Sequence, residues 1–480
     1  MVFRQIFSSL KENNLLILLL AVFLVKQLFM VAVFPIFQGP DELLHYSTIQ
    51  FSQEPKNKNY REYVEGAKKI AFSEEISKTE ELTETDKISF HSGFIQSFAE
   101  DSKGKSEDEI KNTAWKKYIV EGYKPNVVSK LPGFYFISSL IEKILAQEDI
   151  FTRFFTERIF SALLGLLIVL LTYLIARKIG WDEKISLLLA TLIAFQPMFS
   201  QSSAIINYDI MLIFTFTLFI YGAVWSLKDG LNWLNVIIMF LATALGIITK
   251  APAIVLGLAL FVLAIYFARK HLKIRNSYFI AGTIAFILLA IALLEFIAPG
   301  NYFNLLLREN KSHFDSIFQS LSKYFSTTLN RWDWSELSYW GNFGWLDTDI
   351  PSWIVGLTHW IEIASIAGLI AYFAFPQKIP AFLPQRKLAV FFLLIFLALQ
   401  FAIRFADWNH FDKTGKIEIG TYGRYFLPVI TAQFILISIG LGMLVRKYAI
   451  WKNILKVLSL SMILLWIYSL LIIIIPRYYL

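Results

Sequence analysis

The amino-acid sequence predicts an all-α, polytopic membrane protein, and three observations carry that expectation. Apolar runs of spanning length recur from one end of the chain to the other, about eleven in all. Of 480 residues, 56% are hydrophobic and only 17% charged, a balance that excludes an ordinary soluble domain. Lys and Arg gather in the short loops between runs, so the net charge of +8 reads as the positive-inside rule rather than as a nucleic-acid surface. With no cysteine in the chain, disulfides, thiolate nucleophiles and Cys-ligated metals drop out.

The first run, Leu15 to Phe37, follows a basic flank (Arg4, Lys11), is interrupted by Lys26 and has no small-residue cleavage site. It reads as an uncleaved anchor. With its basic end inside, it delivers F-Q-G-P-D-E-L-L-H-Y, Phe37 to Tyr46, to the outer face. Gly39 is expected to end the membrane helix and Pro40 to open a new one, with Asp41 and Glu42 in its first turn, where the dipole favours ionised carboxylates. Asp41 and His45 then share a face, with Glu42 about a quarter-turn away. Asp41 is the first candidate for chemistry; the plainer reading is a polar helix start just outside a span.

From about Phe51 to Asn126 the chain is polar and charged, which suits a large extracytoplasmic loop of solvated surface. Lys130 to Ala146 is apolar but short and contains Glu142 and Lys143, so it reads as a helix in the outer interface. The second span, Arg158 to Ala176, ends in Arg177, Lys178 and Lys184. A third, about Ile185 to Ser200, returns outward and exposes Q-P-M-F-S-Q-S-S-A-I-I-N-Y-D, ending at Asp209. Spans four (Ile210 to Ser226) and five (Trp233 to Ile248) bring Thr249 and Lys250 back to that face. Span six ends near Phe267 in A-R-K-H-L-K-I-R, the strongest inner signal. Span seven, Phe279 to Ile297, leads into a second outer region, Ala298 to Ser352, rich in aromatic residues that suit a membrane belt or a sugar platform. Spans eight (Trp353 to Phe375) and nine (about Ala389 to Phe405) precede an outer loop that places Arg424 at the mouth of span ten; the last span is Ile454 to Ile475. No internal repeat is visible. The simplest division is one integral domain, 1–480, with extracytoplasmic loops 38–157 and 298–352.

This topology puts Asp41, Glu42, His45, Lys130, Asp209, Lys250 and Arg424 at one membrane depth on one face. Carboxylates beside cations at a lipid boundary suit a reaction in which a lipid phosphate departs and a hydroxyl attacks. A carboxylate takes the hydroxyl proton, and Lys or Arg stabilises the charge on the phosphate. Each residue also has a quieter reading: Lys130 snorkels, Lys250 anchors a helix end, Arg424 binds headgroups, Asp209 caps span four, and His45 is packed. A divalent ion, Mg2+ or Mn2+, bridging Asp41 and Asp209 to phosphate is compatible with the oxygens on offer, though nothing in the sequence requires one. No Walker loop, dinucleotide fingerprint or H-E-x-x-H occurs.

The ordered set P-D-E-x-x-H, K-x-P-G-x-Y, R-I-F-S-A-L-L-G, Q-P-M-F-S-Q-S-S-A-I-I-N-Y-D, I-T-K-A-P-A, W-G-N-F-G-W-L-D and G-R-Y-F-L-P covers most of the chain. It resembles the predicted membrane glycosyltransferases catalogued as domain of unknown function 2142. The wider relatives of that family are C-type glycosyltransferases, among them protein O-mannosyltransferases and lipid A aminoarabinose transferases. The resemblance implies the C-type fold, a polyprenyl-phosphate (undecaprenyl phosphate) sugar donor, and catalytic roles for Asp41, Glu42 and Asp209, with Asp41 as general base. It implies a lipid-phosphate contact for Lys130 and matches Arg424 to the arginine of the family's G-R-Y segment; beside them Lys250 is expected to hold phosphate, and His45, Tyr135, Trp345 and Asp347 are expected to contact substrate. Leu131 departs from the family's K-P-P, and no large soluble C-terminal domain suggests a protein acceptor.

The reading that results is an inverting transferase in the plasma membrane, moving one sugar from a polyprenyl-phosphate donor to a glycan or glycolipid hydroxyl on the extracytoplasmic side. Its rivals are a flippase for a lipid-linked saccharide, which would need mid-membrane charges and repeat symmetry, and a non-catalytic partner in envelope assembly.

Overall fold

The structure is a computed structural model and describes residues 13–52, 76, 79, 133–272, 313–330, 332–344, 346, 348–417 and 422–479. Among them the chain is helical almost throughout. The first span is α1 (Asn14–Val33), opened by Asn13, whose side chain accepts from Leu16 N. A tight turn leads to α2 (Glu42–Ser52), and α3 (Gly133–Ile144) packs against it. The long α4 (Ile150–Ile179) is capped by Asp149 at its start and by Gly180, in the left-handed region, at its end. Then come α5 (Glu183–Ala194), the single-turn α6 (Pro197–Ser202), α7 (Tyr208–Asp229) and α8 (Trp233–Ile247), the last opened by a capping box between Asn232 and Asn235. A 3-10 turn, Ala251–Ala253, leads into α9 (Ile254–Leu272). Two helices, α10 (Ile317–Asn330) and α11 (Trp332–Trp340), precede a small antiparallel hairpin, β1 (Asn342–Phe343) with β2 (Thr348–Asp349). The chain ends with α12 (Ser352–Ala374), α13 (Arg386–Thr414), a 3-10 segment Gly423–Val429 running into α14 (Ile430–Val445), α15 (Tyr448–Tyr468), a π-helical stretch Ser469–Ile474, and α16 (Ile475–Tyr479).

Eight helices among the described residues are long and apolar enough to cross a membrane. Of the eleven spans expected, the seventh lies outside the described residues, and two are shorter than a bilayer requires. Span five is a 15-residue helix, α8. Span three breaks in two: α5 stops at Ala194, Gln196 caps a new turn by accepting from Phe199 N, and Pro197 starts α6. Proline fits the first turn of a helix but not its interior, so the run Ile185 to Ser200 cannot continue as one rod.

The layers follow from burial. The most apolar window of α7 is 89% enclosed by protein, against 17% for α12, so α4, α7 and α14 form the centre and α12, α9 and α15 the rim. The rim carries exposed apolar side chains, such as Trp353, Trp360 and Ile370 on α12 and Val457 and Leu464 on α15, which suit a lipid-facing surface. In lipid no hydrophobic force draws helices together, so α12 and α14 associate by backbone proximity. A methyl group built on Gly368 would lie 1.9 Å from the Gly440 carbonyl oxygen, and one on Gly440 would lie 2.1 Å from the Ser365 carbonyl oxygen. Gly368→Ala is therefore expected to destabilise the protein by about 1–3 kcal/mol, as overpacking does. Thermal unfolding in detergent, with Gly356→Ala as the control in open space, checks it.

The short helix α3 lies with its polar face inward. Tyr135, Ser138 and Glu142 are buried, while Phe136, Leu140 and Ile144 are exposed. Glu142 pairs with Arg153 of α4, so the carboxylate of this apolar segment closes a buried ion pair. Gly133 at the start of α3 donates to the Ile248 carbonyl at 2.8 Å, and a methyl there would collide with Thr249. That close approach ties α3 to the residues just before Lys250.

Candidate active site at one end of the helix bundle

The site begins with a clamp that the sequence did not advertise. Arg158, fully buried in α4, spends all five N–H donors: Nε and Nη2 on the two Glu42 oxygens at 2.8 and 2.7 Å, Nη1 on the carbonyls of Val31 and Phe34, and Nη2 again on Pro35. Glu42 also accepts from Gly39 N and Ile206 N, both at 2.9 Å. Its carboxylate is thereby saturated at 0% exposure and absent from the pocket wall. Glu42, expected beside Asp41 as a catalytic residue, thus stands outside the pocket wall that Asp41 lines. Glu42 is a knot joining the end of α1, the start of α2, α4 and the Ser203–Asn207 turn.

The knot forces an unusual backbone. Phe37 and Asp41 both sit at positive φ, 65° and 59°. Asp41 therefore precedes α2 rather than lying in its first turn, and its carbonyl accepts from Leu44 N and His45 N. Asp tolerates the left-handed region better than most residues. Asp41 Oδ2 lies 3.5 Å from Arg424 Nη2. The parallel acid, Asp209, stands in the first turn of α7. Asn207, not Asp209, caps that helix by accepting from Ile210 N, which leaves Asp209 Oδ1 for Lys250 Nζ at 2.6 Å. Lys250 lies 4.3 Å from the ring centre of Tyr208 and 4.4 Å from that of Tyr425.

Asp41, His45, Asp209, Lys250 and Arg424 line one pocket of ≈ 390 Å³, mouth included, with Tyr208, Tyr425, Met198 and Gln201 among the other walls. The four charged side chains are between 13% and 19% exposed, shielded from bulk water yet reachable. Two carboxylates balance two cations. Burial pulls the Lys250 ammonium down, but the Asp209 carboxylate beside it more than compensates and holds it above its usual range. Burial also pushes His45 down to about 3, Asp209 opposing and Lys250 and Arg424 assisting, so its imidazole is neutral near pH 7.

The pocket floor is held by contacts between distant motifs. Lys26 of α1 reaches Ser200 Oγ at 2.6 Å among the rings of Phe23, Phe195 and Trp466, and Gln27 bonds Ser200 O and Ser203 Oγ. These bonds pin α6, which supplies Met198, Gln201 and Ser202 to the wall. The hairpin region closes over the same turn: Gln196 donates to Tyr339 O, Gln201 to Gly344 O, and Asn342 N points at Met198 Sδ. Gly423, next to Arg424, is pressed against α11, since a methyl there would come 2.1 Å from Ser335 O and 2.5 Å from Tyr339 N; its N–H donates to Ser338 Oγ at 2.6 Å. Glycine at this position lets α11 approach closely enough to set the Arg424 side chain.

Of the residues singled out from sequence, Asp41, His45, Asp209, Lys250 and Arg424 converge. Tyr135 stands behind His45, sharing a 2.7 Å hydrogen bond with its Nδ1, rather than in the wall itself. Lys130, Trp345 and Asp347 lie outside the described residues. The donor set does not favour the Mg2+ or Mn2+ considered for Asp41 and Asp209. Each carboxylate already faces a cationic side chain, and the close ligand groupings among the described residues do not include them. Sequence reasoning missed Arg158, Tyr208, Tyr425 and Gln201. The last three sit inside quoted motifs, whereas Arg158 was signalled only by a charged E-R pair opening an apolar run.

The neutral imidazole gives a pH prediction. The folded state releases the His45 proton only near pH 3, whereas the unfolded chain binds it below about 6.5, so His45 lowers stability as pH falls through that window. Between pH 5 and 8 it should not titrate in the folded protein. The acid limb of any activity profile is therefore expected to be the same in His45→Asn as in the parent, and a displaced limb would assign it to His45.

Comparison with known proteins adds the following. An uncharacterized protein of Aquifex aeolicus is 30% identical over 171 residues, 34% of this chain and 32% of that one, so the match spans about a third of the relative's length. A crystal structure of ArnT from Cupriavidus metallidurans bound to undecaprenyl phosphate is similar at a TM-score of 0.40 and 15% identity, covering 88% of this chain and 59% of that one. The model of the family described as predicted membrane protein (DUF2142) matches residues 23–433, most of the chain and all of the pocket. This multi-pass helical membrane protein belongs to that family.

Proposed function

We propose that the pocket transfers a sugar from a polyprenyl-phosphate donor to a hydroxyl of a cell-surface glycan or glycolipid, with inversion. The observation that carries this reading is the meeting of Asp41, Asp209, Lys250 and Arg424 in one partly shielded pocket at the end of an apolar bundle. In the reaction the acceptor oxygen bonds to the anomeric carbon as the carbon–oxygen bond to phosphate breaks. The hydroxyl proton passes to Asp41, and the electron pair stays on the phosphate. Lys250 and Arg424 hold that phosphate, while Asp209 keeps Lys250 protonated and placed. Arg424 Nε and Gln201 Oε1, on pocket-lining residues, have no hydrogen-bond partner among the described residues, which leaves a donor and an acceptor for substrate. Lys130 is assigned as a further phosphate cation, and Trp345 and Asp347 as substrate contacts, by their motifs.

The pocket is assigned to the extracytoplasmic side because Arg177, Lys178, Lys228, Arg446 and Lys447 cluster at the other ends of α4, α7 and α14. Reconstituted protein given a radiolabelled polyprenyl-phosphate sugar and a membrane glycan extract should release polyprenyl phosphate and label the glycan. Movement of intact donor across the vesicle would identify a flippase, and absence of donor binding an assembly partner; either outcome removes the transferase reading.

A further inference from the structure

A second cluster of ligating side chains lies away from the pocket. His359 and Glu362 stand three residues apart on one face of α12, and Glu336 reaches them from α11. His359 Nδ1 and Glu336 Oε1 are 3.0 Å apart, and one ligand atom from each of the three residues falls within 4.8 Å of the others. A hydrogen bond between His359 and Glu336 accounts for two of these groups but not for the third. Glu362 lies about 15 Å along a membrane-spanning helix at 1.5 Å per residue, drawn up to another carboxylate. Two carboxylates drawn together at that depth are held either by a proton on one of them or by positive charge between them. Among the described residues no Lys or Arg forms an ion pair with Glu362.

We propose that Glu336, His359 and Glu362 bind a divalent transition-metal ion that staples α11 to α12. An ion with bonds of ~2.1 Å spaces neighbouring ligand atoms by about 3.0–3.4 Å, and the His359–Glu336 separation already has that value. Glu362 closes the remaining distance by a side-chain rotation. One imidazole and two carboxylates suit ions of the Zn2+ or Mn2+ class, and the chain has no thiolate to select a softer one. The ion would be structural. It fixes the helix whose Ser338 and Tyr339 press on Gly423, one residue from Arg424, and so braces the pocket wall without touching the reacting groups.

The test uses full-length protein in detergent, stripped with EDTA and dialysed against Mn2+ alone or Zn2+ alone. One ion per chain and a raised melting temperature are expected, both retained in Asp41→Asn. His359→Gln and Glu362→Gln should each weaken binding by at least about 10–100-fold, the range lost when even an outer-shell partner is removed. Bound Mn2+ should also show coupling to a single imidazole nitrogen in its spin-echo spectrum, a readout that does not depend on the variants folding. The staple is overturned if folded wild-type protein retains no ion, if the variants bind as the parent does, or if the nitrogen coupling is missing. None of these outcomes bears on the sugar-transfer reading, because the pocket residues are different ones.

Discussion

Asp41→Asn is expected to lower sugar transfer by about 10²–10⁴-fold while leaving the protein folded, the range that a positioned general base contributes. The amide keeps the size and hydrogen-bonding shape of the carboxylate but cannot take the acceptor proton. The choice of asparagine matters because Asp41 has φ 59°, where Asn is among the best-tolerated side chains. Alanine at this position would remove the base and also the short polar side chain that lets Asp or Asn occupy a backbone region costing other residues about 1–2 kcal/mol, so its phenotype would mix two causes. Initial rates with labelled donor, measured beside the melting temperature, separate them. A folded Asp41→Asn protein with parental rates would end the assignment of Asp41 as base.

Arg158→Met should cost about 3–5 kcal/mol, the penalty for stripping one partner from a buried ion pair. The charge left behind is Glu42, at 0% exposure, and three backbone carbonyls at the end of α1 lose their donors with it. Arg158→Lys should rescue little, because one ammonium cannot span Glu42 and the carbonyls of Val31, Phe34 and Pro35 as a planar guanidinium does. Adding Glu42→Gln to Arg158→Met should recover part of the loss, since the uncompensated charge goes. Thermal unfolding in detergent of the parent, Arg158→Met, Glu42→Gln and the double variant forms the double-mutant cycle. Parental stability for Arg158→Met alone would show that the clamp contributes nothing.

Much of the architecture was legible in one dimension. Hydropathy marks spans because a bilayer demands about twenty apolar residues in a row, and basic loops mark which ends lie together. Counting spans from that pattern was enough to bring Asp41, Asp209, Lys250 and Arg424 to one end of the bundle, residues up to 383 positions apart, which the pocket confirms as neighbours. The count itself was less secure where local chemistry competes with hydropathy. Pro197 breaks the third run into α5 and α6, and α3 turns its polar face inward because Arg153 waits there for Glu142.

What only the tertiary structure decided is which of the adjacent polar groups is available. Asp41 and Glu42 differ by one methylene and one position, yet Arg158, 116 residues from Glu42, saturates one and leaves the other facing Arg424. Asn207 takes the capping role that Asp209 could have filled, and Asp209 is thereby left to Lys250. Span order and side come from properties each residue carries with it. The role of a carboxylate depends on which donors occupy its lone pairs, and those donors arrive from segments whose meeting no local pattern encodes.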